Sequence, residues 1–105
     1  MVVGIVRIEL HIPASRSLKD KRQVVRGLKD RIRERSLAAV AEVDHHDLWQ
    51  RAALGVALVV SSPSRGRDAV AAMRRFVEED PRVVVVDQWF RKIEVYRPVA
   101  LKAEA

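Results

Sequence analysis

A chain of 105 residues with 49% apolar side chains is long enough for one domain with a continuous core and too apolar to be disordered. It has no cysteine, which excludes disulfides, thiolate metal sites and cysteine nucleophiles, and its apolar stretches, such as Ala52 to Val60, are far shorter than a membrane span. The net charge of +6 resides entirely in residues 16–35, where nine basic side chains accompany three acidic ones; the rest of the chain carries eleven of each sign. Such asymmetry bears on partners rather than on fold. The N-terminus shows no basic start followed by an apolar block and a small-residue cleavage site, so a cytoplasmic, soluble protein is expected. Asparagine and threonine are missing and arginine outnumbers lysine fifteen to five, which points to a thermophilic source with a GC-rich genome.

Val2 to Ile12 alternates, with Val6, Ile8, Leu10 and Ile12 on one face and Arg7, Glu9 and His11 on the other. This is the period of a half-buried strand, and Pro13 ends it. Ser17, with Asp20 three residues later, forms a capping-box-like start for a helix running to Ser36. At 100° per residue, Leu18, Val25, Leu28 and Ile32 fall on one stripe facing the core, and Gly27 falls opposite. Lys21 falls inside the apolar arc. It is expected to bury its stem and extend its ammonium to water, the alternative being an anion site with Arg16 at the helix start.

Leu37 to Val43 and Leu48 to Val60 read as two strands joined by the polar connection Asp44–Asp47. The second arm carries Leu54, Val56, Leu58 and Val60 on one face, and Ala53, Gly55, Ala57 and Val59 on the other. Small side chains allow another layer to approach, so Ala53, Gly55 and Ala57 are candidate interface residues. A second helix begins within Ser61–Ser64 with a stripe of Ala69, Val70, Met73, Phe76 and Val77, and Asp80-Pro81 stops it. Val83 to Tyr96 is a last strand with a bend or bulge at Asp87-Gln88. The order strand, helix, strand, strand, helix, strand predicts a ferredoxin-like βαββαβ fold of the α+β class, an antiparallel sheet with both helices on one face. The domain is expected to span residues 1–97, with 98–105 as a flexible tail.

Three stretches, SLKDKRQVVRGLKDRIR, AEVDHHDLWQRAALGVALVVSS and IEVYRP, resemble the YlxP-like proteins, a family of small bacterial proteins classed as a domain of unknown function. The resemblance covers nearly the whole chain and implies the same ferredoxin-like fold and no established activity. Genes of that family lie in several bacteria beside those for a translation initiation factor and ribosome-binding factor A, which implies a link to ribosome assembly or translation.

Among candidate chemistries, the basic helix stands first. Lys19, Arg22, Arg26, Lys29 and Arg33 lie within about 80° of arc, and their row is roughly 21 Å long, enough to track several phosphates. Arg26 and Arg33 can both reach Asp30, and Arg31 can reach Glu34, by helical spacing. Lys19, Arg22 and Lys29 have no acidic neighbour three or four residues away, and Arg16 stands beside the helix start. Glu42, Asp44, His45, His46 and Asp47 include metal-ligand types, with His11 as a remote third histidine. Adjacent histidines on extended backbone point to opposite faces, so hairpin polarity is preferred over a metal site and no cofactor is expected. Trp49 and Trp89, each at the start of a strand run, are expected to anchor the core; exposed, either would stack on bases or anchor a partner protein. The first strand lacks the stacking aromatics of an RRM, and without asparagine an acylphosphatase-like reaction has no support. The expectation is a non-enzymatic protein that binds structured RNA or a ribosomal subunit through phosphates, with a homodimer on the open sheet face as the alternative.

Overall fold

The computed structural model describes residues 2–93, and side chains through Gln88. Its elements are β1 (Val2–His11), α1 (Leu18–Arg35), β2 (Ala39–Asp44), β3 (Arg51–Val60), α2 (Pro63–Glu78) and β4 (Val84–Ile93). The strands form one antiparallel sheet in the order β2-β3-β1-β4, so two interleaved crossover units place each helix over the sheet. This is the expected ferredoxin-like arrangement. The proposed boundary at residue 97 and the tail 98–105 lie outside the described residues.

Alternation in β1 and β3 defines the two faces. Val6, Ile8 and Leu10 pair across the register with Val56, Leu54 and Ala52 and pack under both helices with Val25, Leu28 and Ile32 of α1 and Val70, Met73 and Val77 of α2. Each fully buried aliphatic side chain contributes about 1.5–3 kcal/mol of transfer free energy, which is why this single layer suffices. The helix ends behave as their residues dictate. The Ser17 hydroxyl accepts from the Asp20 N–H at 3.0 Å while the Asp20 carboxylate accepts from the Arg16 N–H at 3.0 Å, a variant of the capping box in which the carboxylate reaches the N–H one residue before the cap. Ser62 caps α2 from the residue before Pro63, and the hydroxyl of Ser36 closes α1 on the Ile32 carbonyl.

Two strand starts and the place of one bulge differ most from expectation. The second hairpin arm begins at Arg51 rather than Leu48, because Gln50 and Trp49 belong to a longer β2–β3 loop. β2 starts at Ala39, two residues later than read. The last strand runs on through a register shift in which Val85 faces Leu10 and Asp87 faces Glu9, so the extra residue is Val86, just before the expected bend.

The open face of the sheet is partly covered from within the chain. A Cβ at Gly55 would stand 2.7 Å from a methyl of Val43, which bulges out of β2 and folds over it, and Ala53 is fully buried. Two of the three small residues expected to admit another layer therefore already have neighbours from this chain. Gly55→Ala is expected to displace Val43 and cost about 1 kcal/mol, the lower end for overpacking because Val43 is half-exposed and able to move; a urea melt measures it.

Candidate functional site

The functional candidates gather at α1 and at the loop of residues 45–50, and a set of buried polar contacts joins the two. Lys21 lies in the first turn of α1, and its side chain is only 1% exposed. Its ammonium donates to the carbonyls of His45, His46 and Arg51 at 2.8, 3.1 and 3.3 Å, and stands 3.0 Å from the Glu42 carboxylate. All three N–H donors are thus spent on main chain, and Glu42 Oε2 is left with the ionic contact alone. The expectation of an ammonium extended to water is overturned: the apolar arc carries Lys21 directly beneath the hairpin, where the loop's carbonyls replace solvent. The alternative anion site fails for the same reason, since the charge is already matched.

Further ties fix the same loop. The Gln50 side-chain amide donates to the carbonyls of Pro13 and Ser15 at 3.0 and 3.1 Å, and the main-chain carbonyl of Gln50 accepts from the Ile12 N–H. On the open face, Glu9 accepts from Arg7 Nε and lies 2.9 Å from His45 Nε2, with Arg51 at 3.6 Å. Burial of Glu9 opposes its ionisation, but the hydrogen bonds and charges of Arg7 and His45 outweigh it and hold the carboxyl below its ordinary range. Asp44 is held low as well, by the His45 N–H first and then by Arg7. His45 itself takes a left-handed conformation, φ 62°, which turns the chain out of β2. His45 faces Glu9, and His46 is exposed. Among the described residues no three histidine, aspartate or glutamate side chains converge as a metal site would require.

The loop presents Trp49 outward. Trp49 is 55% exposed, which corrects the expectation of a core anchor: the strand-like run Leu48-Trp49 is loop, and β3 begins only at Arg51. Trp89 pairs through its backbone with Arg7, but its side chain lies outside the described residues. Trp49 lines two shallow grooves, of about 490 Å³ with Pro13, Ser15, Arg16 and Gln50, and of about 460 Å³ with Asp47, Leu48, Gln50 and Arg51.

α1 sorts its charges by flank. Arg31 pairs with buried Asp80 in the α2–β4 loop, not with Glu34, and Arg82, which chelates the same carboxylate, lies over Gly27. Gly27 thus faces a guanidinium instead of open solvent. Arg35 stacks on Phe76, 5.3 Å from the ring centre. On the opposite flank Arg33 reaches Asp30 at 3.4 Å and the Val40 carbonyl at 3.2 Å, so this flank runs along β2, an edge of the sheet. Among the described residues Asp30 pairs with Arg33 and not with Arg26, where a shared pair was expected. Among the described residues no ion pair involves Arg16, Lys19, Arg22, Arg26 or Lys29. All but Lys29 are exposed, and Lys29 is partly so.

No helix among the described residues is long and apolar enough to cross a membrane. The model of a protein family described as "Protein of unknown function (DUF503)" matches residues 3–89. The uncharacterized protein YlxP of Bacillus subtilis (strain 168) is 27% identical over 92 residues, covering 85% of this chain and all of that relative. With the family model spanning most of a βαββαβ domain, the chain belongs to this family of YlxP-like proteins of unknown function.

Proposed function

We propose that this protein is a non-enzymatic, ribosome-associated factor that binds structured RNA through phosphate contacts from the β2-side flank of α1. The observation that carries the reading is the segregation of charge on that helix. Arg31 and Arg35 are engaged on the side of α2, while Lys19, Arg22, Arg26 and Lys29 lie together on the other flank, with no acidic partner among the described residues. Unpaired cations in a row have no structural task there, and they repel one another unless a polyanion approaches. Recognition of this kind follows the shape of the phosphate backbone, with little reading of bases in a duplex.

Filter binding of ribosomal RNA across a range of salt concentrations tests the proposal. Affinity should fall steeply with salt, and the Lys19→Ala/Arg22→Ala/Lys29→Ala variant should lose both affinity and about 0.9 of logarithmic salt slope per phosphate contact removed. An affinity indifferent to salt, or unaltered in the triple variant, would refute it. These residues lie on the exposed flank, so the variant should melt within a few degrees of the wild type.

A second reading, self-association through the open sheet face, is supported by an apolar groove of about 320 Å³ bounded by Ile5, Ala39, Ala41, Val43 and Ala57, with Val59 exposed nearby. Sedimentation decides it: a monomer at all concentrations removes the dimer, and a dimer without RNA affinity replaces the first reading.

A further inference from the structure

We infer that Trp49 is a stacking platform for a single unpaired nucleobase, whose phosphate is taken by Arg16 at the N-terminal end of the α1 cationic flank; this rests on the RNA reading above. An indole is the largest apolar surface a side chain offers, and leaving more than half of it in water is unfavourable unless something covers it. The exposure does not come from a slack loop. Lys21 and Gln50 hold residues 45–51 from the helix side, and Glu9 holds His45 from the open face, so the ring is carried on a fixed mount with a groove along each side.

The two grooves differ in charge, and the difference orients the occupant. Among the described residues, the groove with Arg16 is lined by a guanidinium and by no carboxylate, the nearby Asp20 carboxylate being held on the Arg16 main-chain N–H. The other contains Asp47, and its Arg51 already lies 3.6 Å from Glu9. A nucleotide stacked on Trp49 therefore directs its phosphate toward Arg16. From Arg16 the cationic flank continues at Lys19 and Arg22, three and six residues on, so that the strand leaving the stacked base meets further positive charge. This complementarity to a polyanion favours a nucleobase over an apolar protein segment, which would find the guanidinium a poor neighbour. The class of ligand that satisfies both features is a duplex with an unpaired or bulged nucleotide, because single-stranded bases alone expose a π face.

The test uses a Trp89→Phe background, so that Trp49 is the only indole emitter, and two probes: a blunt RNA duplex and the same duplex with one bulged adenosine. The bulged RNA should bind roughly tenfold more tightly and quench Trp49 emission, the usual scale for one base stacked on an aromatic ring. Trp49→Ala should abolish that preference while leaving blunt-duplex affinity unchanged, and Trp49→Phe should retain part of it; circular dichroism confirms that each variant is folded. Equal affinity for the two duplexes, or a preference surviving in Trp49→Ala, overturns the platform and leaves the α1 flank standing, with Trp49 then free to serve a protein surface. Binding of neither duplex to the parent protein overturns both readings.

Discussion

Replacing Lys21 with methionine should be the most damaging conservative change in this protein, lowering stability by about 3–5 kcal/mol. Methionine preserves the unbranched stem, so the loss is electrostatic rather than a cavity. Three carbonyls gathered on the buried ammonium lose their donor, and the Glu42 carboxylate is left facing them with no cation. Such uncompensated burial is costlier than the net worth of the pair, which was formed at a large desolvation cost of its own. For a domain of this size the melting temperature should fall by roughly 15 °C or more. The cycle with Glu42 isolates the cause: adding Glu42→Leu to Lys21→Met should recover part of the loss, and a strictly additive pair would refute the ionic account. Amides of residues 45–51 should also lose protection from hydrogen exchange before the core does, because their anchor on α1 is gone.

Asp80→Asn should cost about 2–3 kcal/mol, less than the Lys21 change because both of its partners keep contact with water. Asp80 is 2% exposed and accepts from the Arg82 side chain and main-chain N–H and from Arg31. The Arg82 hydrogen bonds, against the penalty of burial and with help from Arg31, hold its carboxyl far below the ordinary range. A depressed folded value means that the stabilisation is present in full above the ordinary carboxylate pKa of about 4. It is lost as pH falls from there toward the folded value. Glu9, held low by Arg7 and His45 against its burial, adds a contribution of the same sign. Denaturation midpoints between pH 7 and pH 2 should therefore drop steeply at the acid end, and Asp80→Asn should flatten that limb while reducing stability at neutral pH. An unchanged acid limb in the variant would show that Asp80 is not its source.

The regular elements were legible because their signals are local. Ser17 and Asp20 name the start of α1 to the residue, and the alternation in β1 and β3 assigns every face correctly. What was hidden depends on partners distant in sequence. Lys21 stood in the apolar arc of the wheel, which was a sufficient sign of burial, but its partners are carbonyls of a loop some 24–30 residues away, and carbonyls leave no trace in a sequence. Asp80 read as a helix stop, and nothing local joins it to Arg31, which had a nearer acid in Glu34. Leu48 and Trp49 continue a strand pattern whose end is set by the Gln50 amide bonding to the Pro13 and Ser15 carbonyls, remote partners that the pattern does not show, so an exposed tryptophan reads as core. The cationic flank, Arg26 included, was legible as an arc, and the structure changes only its pairing, with Asp30 on Arg33 rather than shared with Arg26.

The Lys21 clamp has a consequence for how this protein can vary. An ammonium that grips main-chain oxygens asks nothing of the side chains on the segment it holds, since every residue brings a carbonyl. Positions 46–49 can therefore exchange their side chains while the loop keeps its place, so the residue that fixes the loop is separate from the residues that form its surface. A chain with a lysine at this position is free to present different chemistry on the same loop without unsettling the fold.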